Sequence, residues 1–147
     1  MSERRRYLQF GAPHSATLAE EVIEGPDSGE LLVKSECSAV SAGTELLLYH
    51  GQAPEGIALD ETLSSLEGRI RYPIRYGYAL VGRVAEVGSE VDRALLGRRV
   101  FLFHPHASLA VVKATEIIPL PEEVPPERAA MLPNLETAVN LLLDGAP

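Results

Sequence analysis

The chain has 147 residues, which is enough for one domain. Of these residues 46% are hydrophobic, which is enough for a core. Because only 5% are aromatic, aliphatic side chains must form that core. Its net charge of −8 argues against general binding of nucleic acids or anionic membranes, which requires basic surface. The single cysteine, Cys37, excludes an intramolecular disulfide and a cysteine-rich metal cluster, and we expect it to be a small core residue. The charged first ten residues predict no signal peptide and no segment is long enough to span a membrane, so we expect a soluble cytoplasmic protein.

Two strands are predicted in the first part of the chain. They cover Ser15–Ile23 and residues 30–40, and the Gly-Pro-Asp-Ser-Gly sequence between them is a strong turn signal. An arginine run at positions 4–6 precedes both strands. We expect this run to be a solvated tail rather than a phosphate-binding arm.

A short helix and a long irregular segment follow these strands. Residues 43–49 predict one or two helical turns, with Ser41 or Thr44 as the capping hydroxyl. Residues 52–72 show only weak periodicity, which indicates a long excursion. Segments of this kind in compact domains are often functional.

The strongest β pattern in the chain spans residues 75–87. Gly77 and Gly82 lie within it and predict bulges or points of close backbone approach. His104 and His106 lie further along, on either side of a proline, and could chelate a metal, but no third ligand is near them. We therefore expect a surface turn there. Shorter strands are predicted at residues 99–103, 108–113 and 116–120.

Two helices are predicted at the C-terminal end. Pro126 suits the first turn of one helix, and Pro133 predicts a break before a second helix over about 134–143. Gly145 is then expected to be the C-cap of the second helix, and Pro147 is expected to prevent the helix from continuing. Short strands followed by helices predict a mainly β fold with C-terminal helices, organised as a small Greek-key barrel. One face of the second helix is apolar: Leu135, Ala138, Val139 and Leu142.

Three segments in the expected order carry a family resemblance. Residues 39–45, followed by Gly51, resemble a Cys-Gly-Thr-Asp pattern with a short helix and a glycine. Residues 72–88 resemble Pro-x-x-x-Gly-His-Glu running into x-x-Gly-x-Val-x-x-Val-Gly, and residues 96–101 resemble Gly-Asp-Arg-Val. Together they are similar to the N-terminal domain of the medium-chain dehydrogenase/reductase, or zinc-type alcohol dehydrogenase, family.

The resemblance implies a domain organisation. Residues 1–124 would form a GroES-like, partly open β-barrel of the catalytic type. Residues 125–147 would form a helical segment leading toward a nucleotide-binding domain. The Gly-x-Gly-x-x-Gly turn of such a domain is absent from these 147 residues.

The chain departs from the family at the zinc ligands. Ala42 stands at the cysteine position, Tyr78 at the histidine, Ala79 at the neighbouring glutamate, and Pro133 near the third ligand. A catalytic zinc needs three protein ligands and one open position. No cysteine follows Val100 to form a structural zinc lobe either. We therefore expect neither a catalytic nor a structural zinc.

Two hydroxyl groups are the catalytic candidates that the resemblance implies. Thr44 aligns with the hydroxyl that carries the proton in zinc-containing relatives, and its alternative role is a helix cap. Tyr78 should point at the substrate pocket, where its phenol can donate a hydrogen bond to a carbonyl oxygen. Its alternative role is an aromatic plug in the vacated metal site.

Further residues are predicted around the pocket. Glu45 replaces a family aspartate and is expected to pair with a nearby arginine, while Tyr49 and His50 could line the substrate cleft. Thr137 matches a family position near the nicotinamide, with capping as its alternative. Asn134 is expected to be the N-cap of the last helix.

The resemblance implies an oxidoreductase. It would use NAD or NADP, bound mainly by its own C-terminal nucleotide-binding domain, and act without zinc on an alcohol, a carbonyl or an activated C=C bond of a small molecule. The chain alone would be inactive, and a homodimer of the full-length protein stays open. One alternative is a non-catalytic GroES-like module that binds a ligand or a partner protein. Another is a pigment-pathway enzyme of the bacteriochlorophyllide dehydrogenase type.

Overall fold

The structure, a computed structural model, describes residues 2–54, 56–59, 64–66 and 68–145. Short strands dominate the chain and the longer helix comes last, so the predicted fold class, mainly β with C-terminal helices, is confirmed. The strands are β1 (Glu3–Ala12), β2 (Ser15–Ile23), β3 (Glu30–Ser38), β4 (Leu80–Val87), β5 (Arg99–Leu102), β6 (Leu109–Lys113) and β7 (Ile117–Pro119). The α-helices are α1 (Thr44–His50), α2 (Pro126–Ala129) and α3 (Leu132–Asp144), and short 3-10 turns lie at Ser64–Leu66, Arg93–Leu95 and Ala114–Glu116.

A five-stranded antiparallel sheet in the order β6-β3-β4-β5-β7 curls into a half-barrel. Side chains on adjacent positions of its central strands point to opposite faces. Leu80 and Val84 join one buried cluster, whereas Val81 joins another that includes Ala129 of α2 and Ala130. The sheet is therefore covered on both faces, and α2 closes the second one. Cys37 packs at the edge of that second cluster, where burial raises the pKa of its thiol.

Gly82 is a point of close approach, as its place in the β pattern predicts. It pairs with Ser35 next to a register shift in β3. A Cβ atom at this position would lie 2.4 Å from the carbonyl oxygen of Lys34. Only glycine therefore lets β3 and β4 pack this closely.

The arginine run at positions 4–6 lies in strand β1, so the prediction of a solvated tail is wrong. β1 pairs antiparallel with β2, and Arg5 faces Glu21 across the pair with an ion pair between their side chains. Phe10, also in β1, is buried in a third cluster. The acidic residues of β2 compensate the arginines, and the sequence pattern of β1 taken alone does not reveal that partner.

The last helix, α3, begins two residues earlier than predicted, at Leu132 instead of about residue 134. Pro133 does not break a helix but lies in the first turn of α3, where its missing N–H needs no partner. Gly145 is the C-cap and donates to the carbonyl oxygen of Leu141, while the predicted stop at Pro147 lies outside the described residues. The predicted apolar face of α3 is exposed at Leu135, Val139 and Leu142. None of the helices in the described ranges combines the length and apolar character needed to cross a bilayer.

Candidate functional site

A cleft of about 450 Å³ lies where the loop before α1, the segment before β4 and the start of α3 meet. Its walls include Ser41, Ala42, Tyr78 and Asn134. The volume falls within the range of small-molecule sites, which are concave and carry a few polar groups. The cleft therefore has the size and lining of a small-substrate site.

Tyr78 lies just before β4 and is half-buried in this cleft. Its ring packs edge-to-face against Tyr76 with centroids 6.3 Å apart, and it contacts two of the three core clusters. Within the described part of the chain, its hydroxyl group makes no hydrogen bond. The ring is thus held in place, and the phenol has no hydrogen-bond partner among the residues that the structure describes.

Two of the positions that resemble the family's zinc ligands, Ala42 and Tyr78, line the cleft. Pro133 precedes Asn134, which also lines it. Their side chains offer a methyl group, a phenol and a pyrrolidine ring, which do not form a zinc-binding set. Among the residues that the structure describes, no three His, Cys, Asp or Glu side chains cluster to hold a metal ion. The donor set therefore does not fit a zinc ion.

Thr44 is the first residue of α1 and is exposed, outside the lining of the cleft. The N-cap of α1 is Gly43, and no side chain caps it, so the capping roles expected for Ser41 and Thr44 are wrong. The Ser41 hydroxyl instead accepts from the N–H of Gly43 at 3.1 Å. This bond tightens the loop that forms one wall of the cleft.

Glu45 is buried on α1 and pairs with His106 instead of an arginine. Its Oε1 lies 2.7 Å from Nε2 of His106, and its Oε2 accepts from the backbone N–H of Ser41 at 2.7 Å. Nδ1 of His106 is 2.9 Å from the hydroxyl of Ser38. The carboxylate thus ties α1, the cleft loop and the loop after β5 together. It does not line the cleft.

The prediction of a surface turn at His104 and His106 is wrong, because His106 is buried and His104 is half-buried. Gly77 makes room for the His106 ring: a Cβ at Gly77 would lie 2.8 Å from Cδ2 of the imidazole. Gly77 also has a φ of +136°, which disfavours other residues. Nδ1 of His104 donates to the carbonyl oxygen of Pro105 at 2.7 Å, and burial lowers the pKa of this histidine.

The remaining predicted site residues lie away from the cleft lining. Tyr49 and His50, at the end of α1, pack edge-to-face with His14, with ring centroids 5.4 and 5.1 Å away. Thr137 is exposed on α3 and donates to the carbonyl oxygen of Pro133 at 3.0 Å, so it is not a cap.

Asn134 is a cleft residue that the sequence assigns a different role. It lies inside the first turns of α3, whose N-cap is Met131, so the prediction that Asn134 is the N-cap is wrong. It lines the same cleft as Tyr78. Its place beside Pro133, which resembles a ligand position, is the one signal that could have indicated this.

The solved structures similar to this chain include an alcohol dehydrogenase and a quinone oxidoreductase. A short chain alcohol dehydrogenase from E. coli CFT073, solved with NADH, is 21% identical with a TM-score of 0.75, over 98% of this chain and 46% of the other. CAD from Helicobacter pylori, solved with NADP(H), is 13% identical with a TM-score of 0.74, over 97% and 49%. A quinone oxidoreductase from Coxiella burnetii is 22% identical with a TM-score of 0.71, over 97% and 45%.

These similarities are structural, since no protein-family model and no curated protein matches the sequence. The chain spans less than half the length of the three structures, by coverage of 46%, 49% and 45%. The resemblance to medium-chain dehydrogenases/reductases is thus confirmed at the level of the fold. The chain has the GroES-like fold, which it shares with about half of each of these dehydrogenase and quinone oxidoreductase chains.

Proposed function

We propose that this chain is the substrate-side domain of an NAD(P)-dependent, zinc-independent oxidoreductase that acts on an alcohol, a carbonyl or an activated C=C bond. The observation that carries this proposal is the Tyr78 phenol, which has no partner among the described residues and faces a cleft of about 450 Å³. Ala42, which also resembles a zinc-ligand position, lines the same cleft. The Tyr78 phenol would donate a hydrogen bond to the substrate oxygen that a metal polarises in zinc-containing relatives.

Tyr78 would act on the oxygen of the substrate. When a hydride adds to a carbonyl carbon, negative charge develops on the oxygen, and a phenol O–H within reach stabilises that charge and can supply the proton. A bound nicotinamide would supply or accept the hydride. Thr44, exposed at the start of α1, would exchange the proton with solvent.

The other predicted site residues have supporting places in this proposal. Glu45 would position the cleft through its bond to the backbone of Ser41. Tyr49 and His50 would contact a substrate long enough to extend beyond Thr44 along α1. Thr137, on the exposed side of α3, would face the nicotinamide.

The exposed apolar residues of α3 support a docked nucleotide-binding domain in the same polypeptide. Leu135 and Leu142 are 60% and 75% exposed, which is unusual for leucines on one helix. The alcohol dehydrogenase from E. coli and the CAD from Helicobacter pylori, which match this chain over less than half their length, were solved with NADH and NADP(H). NAD or NADP would therefore be bound mainly outside these 147 residues.

The test uses the product of the complete open reading frame. Calorimetry should show binding of NADH or NADPH, and elemental analysis should show no stoichiometric zinc. A protein that binds neither dinucleotide would overturn the proposal in favour of a non-catalytic module. Stoichiometric zinc bound beside Ala42 and Tyr78 would overturn the zinc-independent chemistry.

Y78F separates the role of the phenol from that of the ring. The substitution keeps the packing against Tyr76 but removes the donor, so the Kd for NAD(P)H should stay the same while kcat falls by roughly a hundredfold. Ketone and enone reduction, followed by nicotinamide absorbance, would measure this. Unchanged kcat in Y78F would leave Tyr78 as an aromatic plug.

A further inference from the structure

A second pocket lies apart from the Tyr78 cleft. Its volume is about 430 Å³, and it is formed by β1, the segment before β4 and the loop after β5. None of its lining residues lines the Tyr78 cleft. Its charged and titratable lining residues are Arg5, Arg69, Arg71, Arg75, His104 and His106.

The described lining of this pocket contains no acidic side chain. Behind the lining, Glu21 accepts hydrogen bonds from both Arg5 and Arg75, the latter at 2.8 Å to each carboxylate oxygen. One carboxylate therefore serves two guanidinium groups. Arg71 forms no ion pair with any residue that the structure describes, and Arg69 donates to the carbonyl oxygen of Gly56. The lining residues that the structure describes therefore carry more positive than negative charge, in a chain whose net charge is −8.

Several of these groups are held in place before any ligand arrives. Arg75 stacks over the ring of Tyr7 at 3.6 Å while Glu21 fixes its guanidinium. Arg5 is mostly buried, with 18% of its side chain exposed. Such fixed guanidinium groups offer paired N–H donors that match the oxygens of phosphate and carboxylate groups.

We propose that this pocket binds a small, multiply charged oxyanion, one that carries phosphate or carboxylate groups. The volume suits a compact molecule. The acidic character of the whole chain disfavours a long polyanion, because most of its surface would repel one. This proposal does not depend on the oxidoreductase function, since the two pockets share no residue.

The test is calorimetric titration of the 147-residue chain at low ionic strength, where screening is weak. Pyrophosphate and citrate serve as separate probes, and the tighter of the two identifies the preferred group. R71Q should weaken binding by roughly tenfold, because it removes a charged donor that lines the pocket. R71K should bind more tightly than R71Q but less tightly than the wild type, because lysine keeps the positive charge and lacks the paired N–H donors of the guanidinium group.

R98Q is the matched control. Arg98 is exposed and does not line the pocket, so its loss removes the same charge without touching the site. Binding should be unchanged in R98Q. The proposal fails if neither probe binds at millimolar concentration. It also fails if R71Q and R98Q weaken binding equally, because the attraction would then be that of overall charge. Arg71 is exposed, so R71Q should stay folded, and circular dichroism of each variant checks this.

Discussion

At the scale of single residues, Glu45 and His106 form a buried pair that is tied to the cleft loop through the backbone of Ser41. Glu45 is 1% exposed, and its two carboxylate oxygens are held by His106 and by the backbone of Ser41. The two side chains are 61 positions apart in sequence, so neither a spacing rule nor a local motif indicates that they meet. The resemblance marks Glu45 as structural, but it points to an arginine partner.

H106A should strongly destabilise the chain. It would leave the buried Glu45 carboxylate without its main side-chain partner, and breaking a buried pair of this kind costs about 3 kcal/mol. Urea denaturation would measure the loss in the free energy of unfolding. The exposed histidine at the end of α1 provides the control, since H50A should change stability by less than about 0.5 kcal/mol. Similar stability of H106A and H50A would show that the buried pair contributes nothing.

At the scale of secondary-structure elements, an ion-pair network joins the strands of the half-barrel. Glu36 on β3 accepts from Arg99 on β5 at 2.6 Å and from Arg83 on β4 at 2.9 Å. Glu122, after β7, accepts from Arg83 at 2.9 Å. The hydrogen bond from Arg99 is the main cause that lowers the pKa of Glu36, and the bond from Arg83 lowers that of Glu122. The network therefore makes the stability of the sheet depend on pH.

The sign of the pH effect follows from these lowered pKa values. A carboxyl group whose pKa is lower in the folded state stabilises the fold above its unfolded pKa of 4.5, and this stabilisation is lost as pH falls through the folded pKa. The thermal unfolding midpoint, measured at a series of pH values from 7 to 3, should decrease once the pH is below about 4.5. E36Q should flatten this fall and lower stability at pH 7. E86Q, which removes an exposed carboxylate on the same sheet, should retain the wild-type profile. A profile of E36Q that matches the wild type would rule out the role of the network.

The elements were predictable where the local pattern alone determines them. Ser15–Ile23 has the predicted bounds because a turn signal and apolar alternation agree. The β pattern predicted over residues 75–87 is a strand only from Leu80 to Val87, the part that contains its valines. β1 is not predictable from its own sequence, because its arginines are stabilised in a strand by Glu20 and Glu21 of β2. These are contacts between two elements, which a local pattern does not show. Pro133 was misplaced because proline both begins and ends helices, and only packing decides between them.

At the scale of the whole molecule, the cleft was located by resemblance and the charged pocket was not. Ala42 and Tyr78 could be placed together because the family pattern aligns both with metal ligands. The arginines at positions 5, 69, 71 and 75 come from two distant segments that no motif connects. One of these segments belongs to the strand that was interpreted as a tail. Sites built from a known pattern are therefore predictable here, whereas a site assembled by long-range packing becomes visible only in the structure.

The exposed face of α3 gives a prediction for the whole chain. Leu135 and Leu142 should bind a hydrophobic dye such as anilinonaphthalene sulfonate, because apolar side chains exposed together mark an interaction surface. The double variant L135E/L142E should lose most of the dye fluorescence and keep its circular dichroism, since neither side chain belongs to a core cluster. L18E on β2 is the control, because Leu18 is 70% exposed but belongs to the β1-β2 hairpin and not to α3. If L18E removes as much fluorescence as L135E/L142E, the dye reports general exposure, and α3 offers no distinct docking face for a nucleotide-binding domain.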